Sequence, residues 1–154
     1  MKFLIKNLLF VLAVLLVITS CKKVENKAVF EGGTPPVLTA SIGNGGTVPL
    51  LIANKNKPAL DLTWTNPDYM FNTGVSSQDV TYTIQLDKAG ANFSSPELQE
   101  KSVSKDLSYT LTVGEINTML TKLGYPEDQE GMFEIRLKSS LGDNAVALYS
   151  NVLT

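Results

Sequence analysis

Leu60, Leu62 and Trp64 alternate with Asp61, Thr63 and Thr65 along Ala59–Thr65, apolar and polar in turn. That period of two belongs to a β-strand with one buried face. Asn66-Pro67-Asp68 ends it as a turn. Val80, Tyr82, Ile84 and Leu86 repeat the pattern against Thr81, Thr83, Gln85 and Asp87. Leu107–Leu111 predicts a third such strand and Phe133–Lys138 a fourth, with Glu134, Arg136 and Lys138 on the wet face. Val37–Ile42 predicts a first strand, closed by Gly43-Asn44-Gly45-Gly46. Ala145–Thr154 predicts a last one, less regular around Ser150-Asn151. Leu50–Ile52 is a short apolar run that reads as a strand switching sheets.

The period changes once. Thr112 is a good N-cap, and Glu115 three residues on completes a capping box. Ile116, Met119, Leu120 and Leu123 then recur at the spacing of one helical face. Gly124 supplies the position after the last turn and Pro126 blocks continuation. Short alternating strands with turn signals between them predict an all-β fold, an antiparallel β-sandwich with one short helix.

The first residues follow neither period. Lys2 and Lys6 precede an unbroken apolar run, Leu8–Ile18. A spanning helix needs about 20 apolar residues, so this run suits the apolar stretch of a signal peptide instead. Ile18-Thr19-Ser20-Cys21 matches the bacterial lipobox: a branched apolar residue, two small ones, then cysteine. Signal peptidase cuts between Ser20 and Cys21, and the Cys21 thiol accepts a diacylglyceryl group. Each buried CH₂ contributes about 0.8 kcal/mol, so two or more long acyl chains hold a protein on a membrane almost permanently. The expected organisation is a lipoprotein signal peptide over 1–20, a lipid-anchored tether over 21–36 and a folded domain over 37–154. The tether ends in Gly32-Gly33-Thr34-Pro35-Pro36, free and then stiff. Lys22 stands where an aspartate would argue for the inner membrane, which favours the outer membrane. Only Glu25 answers to the acidic run that sends some Bacteroidetes lipoproteins to the cell surface, so which face of that membrane is left open.

Composition then removes whole classes of chemistry. The chain has 154 residues, a net charge of -2, no histidine and one cysteine. Ser-His-Asp catalysis and histidine-ligated zinc are excluded, as are an intramolecular disulfide and a cysteine metal cluster. The even charge balance argues against a nucleic-acid partner. No cofactor, no metal and no enzymatic activity are expected.

Behind the lipobox, three segments look familiar. They are Leu60-Asp61-Leu62-Thr63-Trp64-Thr65, Val80–Asp87 followed by Gly90, Phe93 and Ser94, and Leu111-Thr112-Val113-Gly114-Glu115-Ile116-Asn117 before Leu120 and Gly124. From about Pro36 onward the chain resembles the N-terminal domain of the SusE/SusF family of starch-utilisation outer-membrane lipoproteins. The resemblance implies an immunoglobulin/fibronectin-III-like sandwich. It implies a non-catalytic tethering or spacer role beside a SusC/SusD-type transporter complex, with polysaccharide bound by further modules. The chain ends at Thr154 with its last strand still running, so truncation or a short family member is expected.

Trp64 alternates with the core positions of its strand, so it reads as core rather than as a platform for a sugar ring. Tyr69, Phe71 and Phe93 lie in loops beside Asp68, Asn72 and Asn92. These rings suit either contact with a glycan or partner, or packing over the end of the sandwich. The acids Asp61, Asp68, Asp79, Asp87 and Asp143 show no calcium-loop spacing and read as solvated strand and turn residues.

Overall fold

The computed structural model describes residues 27–142 and 146–154. The signal segment 1–20, Cys21 with the start of the tether, Asp143 and Ala145 lie outside them. In chain order the strands are β1 (Phe30–Gly32), β2 (Leu38–Ala40), β3 (Pro58–Trp64), β4 (Met70–Phe71), β5 (Gly74–Val75), β6 (Thr81–Lys88), β7 (Gln99–Ser104), β8 (Ser108–Thr112), β9 (Phe133–Ser140) and β10 (Leu148–Tyr149). Helix α1 (Val113–Lys122) separates β8 from β9.

Two antiparallel layers form the sandwich. One has the order β2-β3-β8 and the other β10-β9-β6-β7. Leu60, Leu62 and Trp64 of β3 and Leu111 of β8 face Tyr82, Ile84 and Leu86 of β6 and Ile135 and Leu137 of β9, all buried in one cluster. The Trp64 and Tyr82 rings meet across the layers at 5.4 Å between centroids. Trp64 is therefore a core residue, as its alternation predicts. Its indole N–H is buried without a hydrogen-bond partner. The C-terminal segment ties the two layers together. Leu148 and Tyr149 pair with β9, while the Asn151 amide accepts from the Leu38 N–H at 2.8 Å and donates to its carbonyl at 3.0 Å.

Several expectations need correction. Leu50–Ile52 forms no strand, and Ile52–Asn54 is a short 3₁₀ turn in which Ile52 is 73% exposed. Pro49 immediately upstream has no N–H to give to a ladder. The last strand is broken: β10 spans two residues, and a single bridge, Ile135 to Leu153, follows it. Leu107 is exposed and precedes β8, holding the Trp64 N–H with its carbonyl at 3.0 Å. Part of the expected tether is folded, since β1 pairs with β4. Gln85 and Asp87, on the predicted wet face of β6, are buried.

Helix α1 follows its sequence signals closely. The Glu115 N–H donates to the Thr112 hydroxyl at 3.2 Å, and the Glu115 carboxylate accepts from the Thr112 N–H at 3.0 Å. Val113, Ile116 and Met119 are buried, as is Leu123 beyond the last turn. Gly124 adopts φ +81°, the left-handed conformation that glycine takes without a Cβ penalty. Glu115 also accepts from Lys101 of β7 and from the Tyr109 hydroxyl, both at 2.8 Å. Burial alone would push its carboxyl up. The hydrogen bonds from Lys101, Thr112 and Tyr109, with the Lys101 charge, outweigh burial and hold it at about 2.

A depressed carboxylate stabilises the fold above the ordinary value of 4.5, and the contribution is lost as pH falls toward 2. Glu115→Gln is expected to cost about 2 kcal/mol at neutral pH in urea unfolding. It is also expected to flatten the loss of stability in acid between about pH 4.5 and 2.

Candidate functional site

The sandwich offers three surfaces, and the loop aromatics are divided between two of them. The first lies at the Trp64 end of β3. β4 and β5 form a hairpin, Met70 opposite Val75 and Phe71 opposite Gly74, and β1 pairs along its other edge. Phe30 packs on Tyr69 at 5.9 Å and edge-on against Phe71 at 5.7 Å between ring centroids. Tyr69 is buried, and its hydroxyl donates to the Ser139 carbonyl at 2.8 Å, fastening the hairpin to the end of β9. A Cβ on Gly33 would lie 3.0 Å from both the Pro67 carbonyl and the Tyr69 ring, so the chain passes close over this joint. Tyr69→Phe is expected to cost about 1 to 2 kcal/mol in thermal or urea unfolding, because a buried carbonyl loses its donor.

The second surface is the outer face of the four-stranded layer. Gln85 of β6 is paired with Glu100 of β7 and Arg136 of β9. Its amide donates to Glu100 at 2.6 Å and accepts from the Arg136 Nε at 2.7 Å. The Arg136 guanidinium lies 4.1 Å from the Phe93 ring centroid and 4.3 Å from that of Tyr149. Phe93 is buried by this arrangement. Its loop is held from below by Asp87, which accepts from the Lys88 N–H at 2.8 Å and from the Ser95 N–H and hydroxyl. Burial pushes the Asp87 carboxyl up, but those hydrogen bonds, the Ser95 hydroxyl first, bring it below its ordinary value. One strand step from Arg136 lies a recess of about 290 Å³ lined by Thr81, Thr83, Ser102, Lys138, Ser140 and Tyr149.

The third surface is an open cleft of about 1560 Å³ at the opposite end of the sandwich. Leu50, Leu51 and Ile52 line one wall, and the residues after α1, with Tyr125 and Met132, line the other. The Tyr125 hydroxyl donates to the Met132 carbonyl and closes that loop on itself.

The structure thus brings Tyr69 and Phe71 together and places Phe93 elsewhere, on the outer sheet face. Tyr69 and Phe93 are spent on packing, so neither presents a free ring face, and Phe71 is half-buried against Phe30. Arg136, Gln85 and Tyr149 were not singled out from the sequence. The only signal for Gln85 and Arg136 is the polar half of the alternation in β6 and β9. Tyr149 lies in the two-residue β10, too short to show a period, and cross-strand register, which makes them neighbours, is not written in any one strand. The acids Asp61, Asp68, Asp79 and Asp87 do not come together: among the described residues, no group of three histidine, cysteine, aspartate or glutamate side chains is placed to hold a metal ion.

Two antiparallel layers, a capped helix over one end and a polar outer face define an all-β sandwich module, and no helix among the described residues is long and apolar enough to cross a membrane. The model of the family described as SusE outer membrane protein matches residues 23–138, and the chain belongs to that family. It is an outer-membrane protein of a surface and binding family rather than of a known enzyme family. No curated protein and no solved structure matches the chain.

Proposed function

We propose that this chain is a non-catalytic tethering and spacer module of an outer-membrane polysaccharide-utilisation system, lipid-anchored through Cys21. The observation that supports it most is the path of the chain through the sandwich. The chain comes in beside the β4–β5 hairpin, where the Asn72 N–H donates to the Val29 carbonyl at 3.0 Å. Thr154 lies at the other end, where its carbonyl accepts from the Gly45 N–H and its own N–H donates to Asn44, both at 2.6 Å. A chain that passes the hairpin at one pole and reaches the other pole at Thr154 makes the folded body itself the span between them, which supports a spacer role. Membership of the SusE family supports the outer-membrane setting, and a starch-like substrate and a SusC/SusD-type transporter complex as neighbour are part of the proposal.

Direct glycan binding is a second reading, favoured by one observation. The recess beside Tyr149 is lined by hydroxyls and one ammonium group, donors and acceptors that suit sugar hydroxyls, with an exposed aromatic ring at its rim. Electrophoresis of residues 27–154 through gels containing starch or other glycans separates the two. Unretarded migration is expected of a spacer. Retardation that Tyr149→Ala abolishes would replace the spacer reading with the second one.

A further inference from the structure

The small β1-β4-β5 sheet has one face packed on the sandwich through Tyr69 and one face turned outward. Met70 and Val75 are cross-strand partners and share that outward face. Val29, one residue before Phe30, falls on the same side by alternation. These three residues are 56%, 38% and 64% exposed in chain order, and Phe30 adds a 36% exposed ring at the edge. Grouped on one face, these large apolar side chains form a small surface suited to apolar contact.

The sequence says what lies within reach of it. Lys27 is six residues from Cys21. Six residues span at most about 20 Å fully extended, and about 13 Å as a flexible chain. The eight residues of β9 alone extend about 27 Å. If Cys21 is acylated, the reading on which this step rests, its tether is shorter than the body it holds. The hairpin end must then stay close to the lipid, while the cleft at the opposite end points away. Residues 22–32 carry three lysines and two glutamates, a net charge of +1, so anionic headgroups do not repel them.

We propose that the outward face of the β1-β4-β5 sheet, through Val29, Met70 and Val75 with the Phe30 edge, rests on the bilayer surface and fixes the module upright on its anchor. The face is too small to bind a membrane from solution. Anchoring makes the encounter intramolecular, with an effective concentration on the order of millimolar, where weak apolar contact suffices. Two signals acting together, acyl chains and a small amphipathic surface, then set orientation as well as attachment.

The test uses the acylated full-length mature chain in vesicles of phosphatidylethanolamine and phosphatidylglycerol. The native cysteine is blocked by its lipid, so Val75→Cys and Ile52→Cys each provide one thiol for a polarity-sensitive fluorophore. Both sites are exposed, 64% and 73%, so neither change disturbs the core. A blue shift and quenching by nitroxide-bearing lipid at position 75, with neither at position 52, is the expected result. Vesicle flotation with both probes left in water, or equally quenched, would overturn the proposal while leaving the anchor intact. Failure of the unlabelled chain to float would remove the anchor and the proposal with it. A blue shift at position 75 that needs no lipid and grows with protein concentration would give the face to a second copy and overturn the proposal.

Discussion

Cys21→Ser is expected to remove the protein from the outer membrane almost completely. On the proposed anchoring through Cys21, serine offers no thiol to accept a diacylglyceryl group, and the proposed cut before position 21 would not follow without that group. The expected product keeps its leader and lacks the acyl mass, which mass spectrometry of the native protein reads directly. Two long acyl chains contribute about 0.8 kcal/mol per buried CH₂, which no surface on the folded body approaches. Membrane fractionation should therefore show a near-total loss from the outer-membrane fraction. An unmodified thiol on the mature wild-type chain would sink the anchoring account at once.

The largest effect expected inside the fold is at the centre of the two layers. Leu86 has no exposed surface and lies in the cluster shared by both sheets and α1. Leu86→Ala removes buried methyl groups from a site that rigid strands on both sides prevent from collapsing. It is expected to cost about 3 to 4 kcal/mol in urea unfolding and to lower the melting temperature by roughly 10 to 15 °C. By contrast, Val75→Ala at the exposed hairpin is expected to leave stability within about 0.5 kcal/mol of the wild type.

The core was legible because alternation fixes which residues face inward, without reference to any neighbour. Leu60, Leu62, Trp64, Ile84, Leu86, Ile135 and Leu137 all follow from the period of two. The helix was legible because its caps are local: Thr112, Glu115 and Gly124 act within one turn of themselves. What escaped depends on distant partners. β7 is polar except for Val103, and only its pairing with β6 makes it a strand. β4 and β5 are two residues each, too short for any period to show. Gln85 and Asp87 read as wet because sequence does not show the loop and charged side chains that cover them. Leu50–Ile52 misled in the other direction, since an apolar run can line an open cleft as readily as a core. Tyr69 and Phe93 sit where the loop pattern put them, but their side chains are consumed by Ser139 and Arg136, distant partners that no local pattern shows.

Strand β7 ends its layer, and a row of unpaired backbone groups there could template addition of another chain. Its inward-facing side chains include Lys101, half-buried and clasped at 2.8 Å by Glu115 from the helix cap. A foreign strand extending the sheet would have to seat its own side chains beside that ammonium group. Proteins confined to a membrane plane meet their copies far more often than proteins in bulk water. A lysine turned inward on this edge strand thus disfavours extension of the sheet at β7.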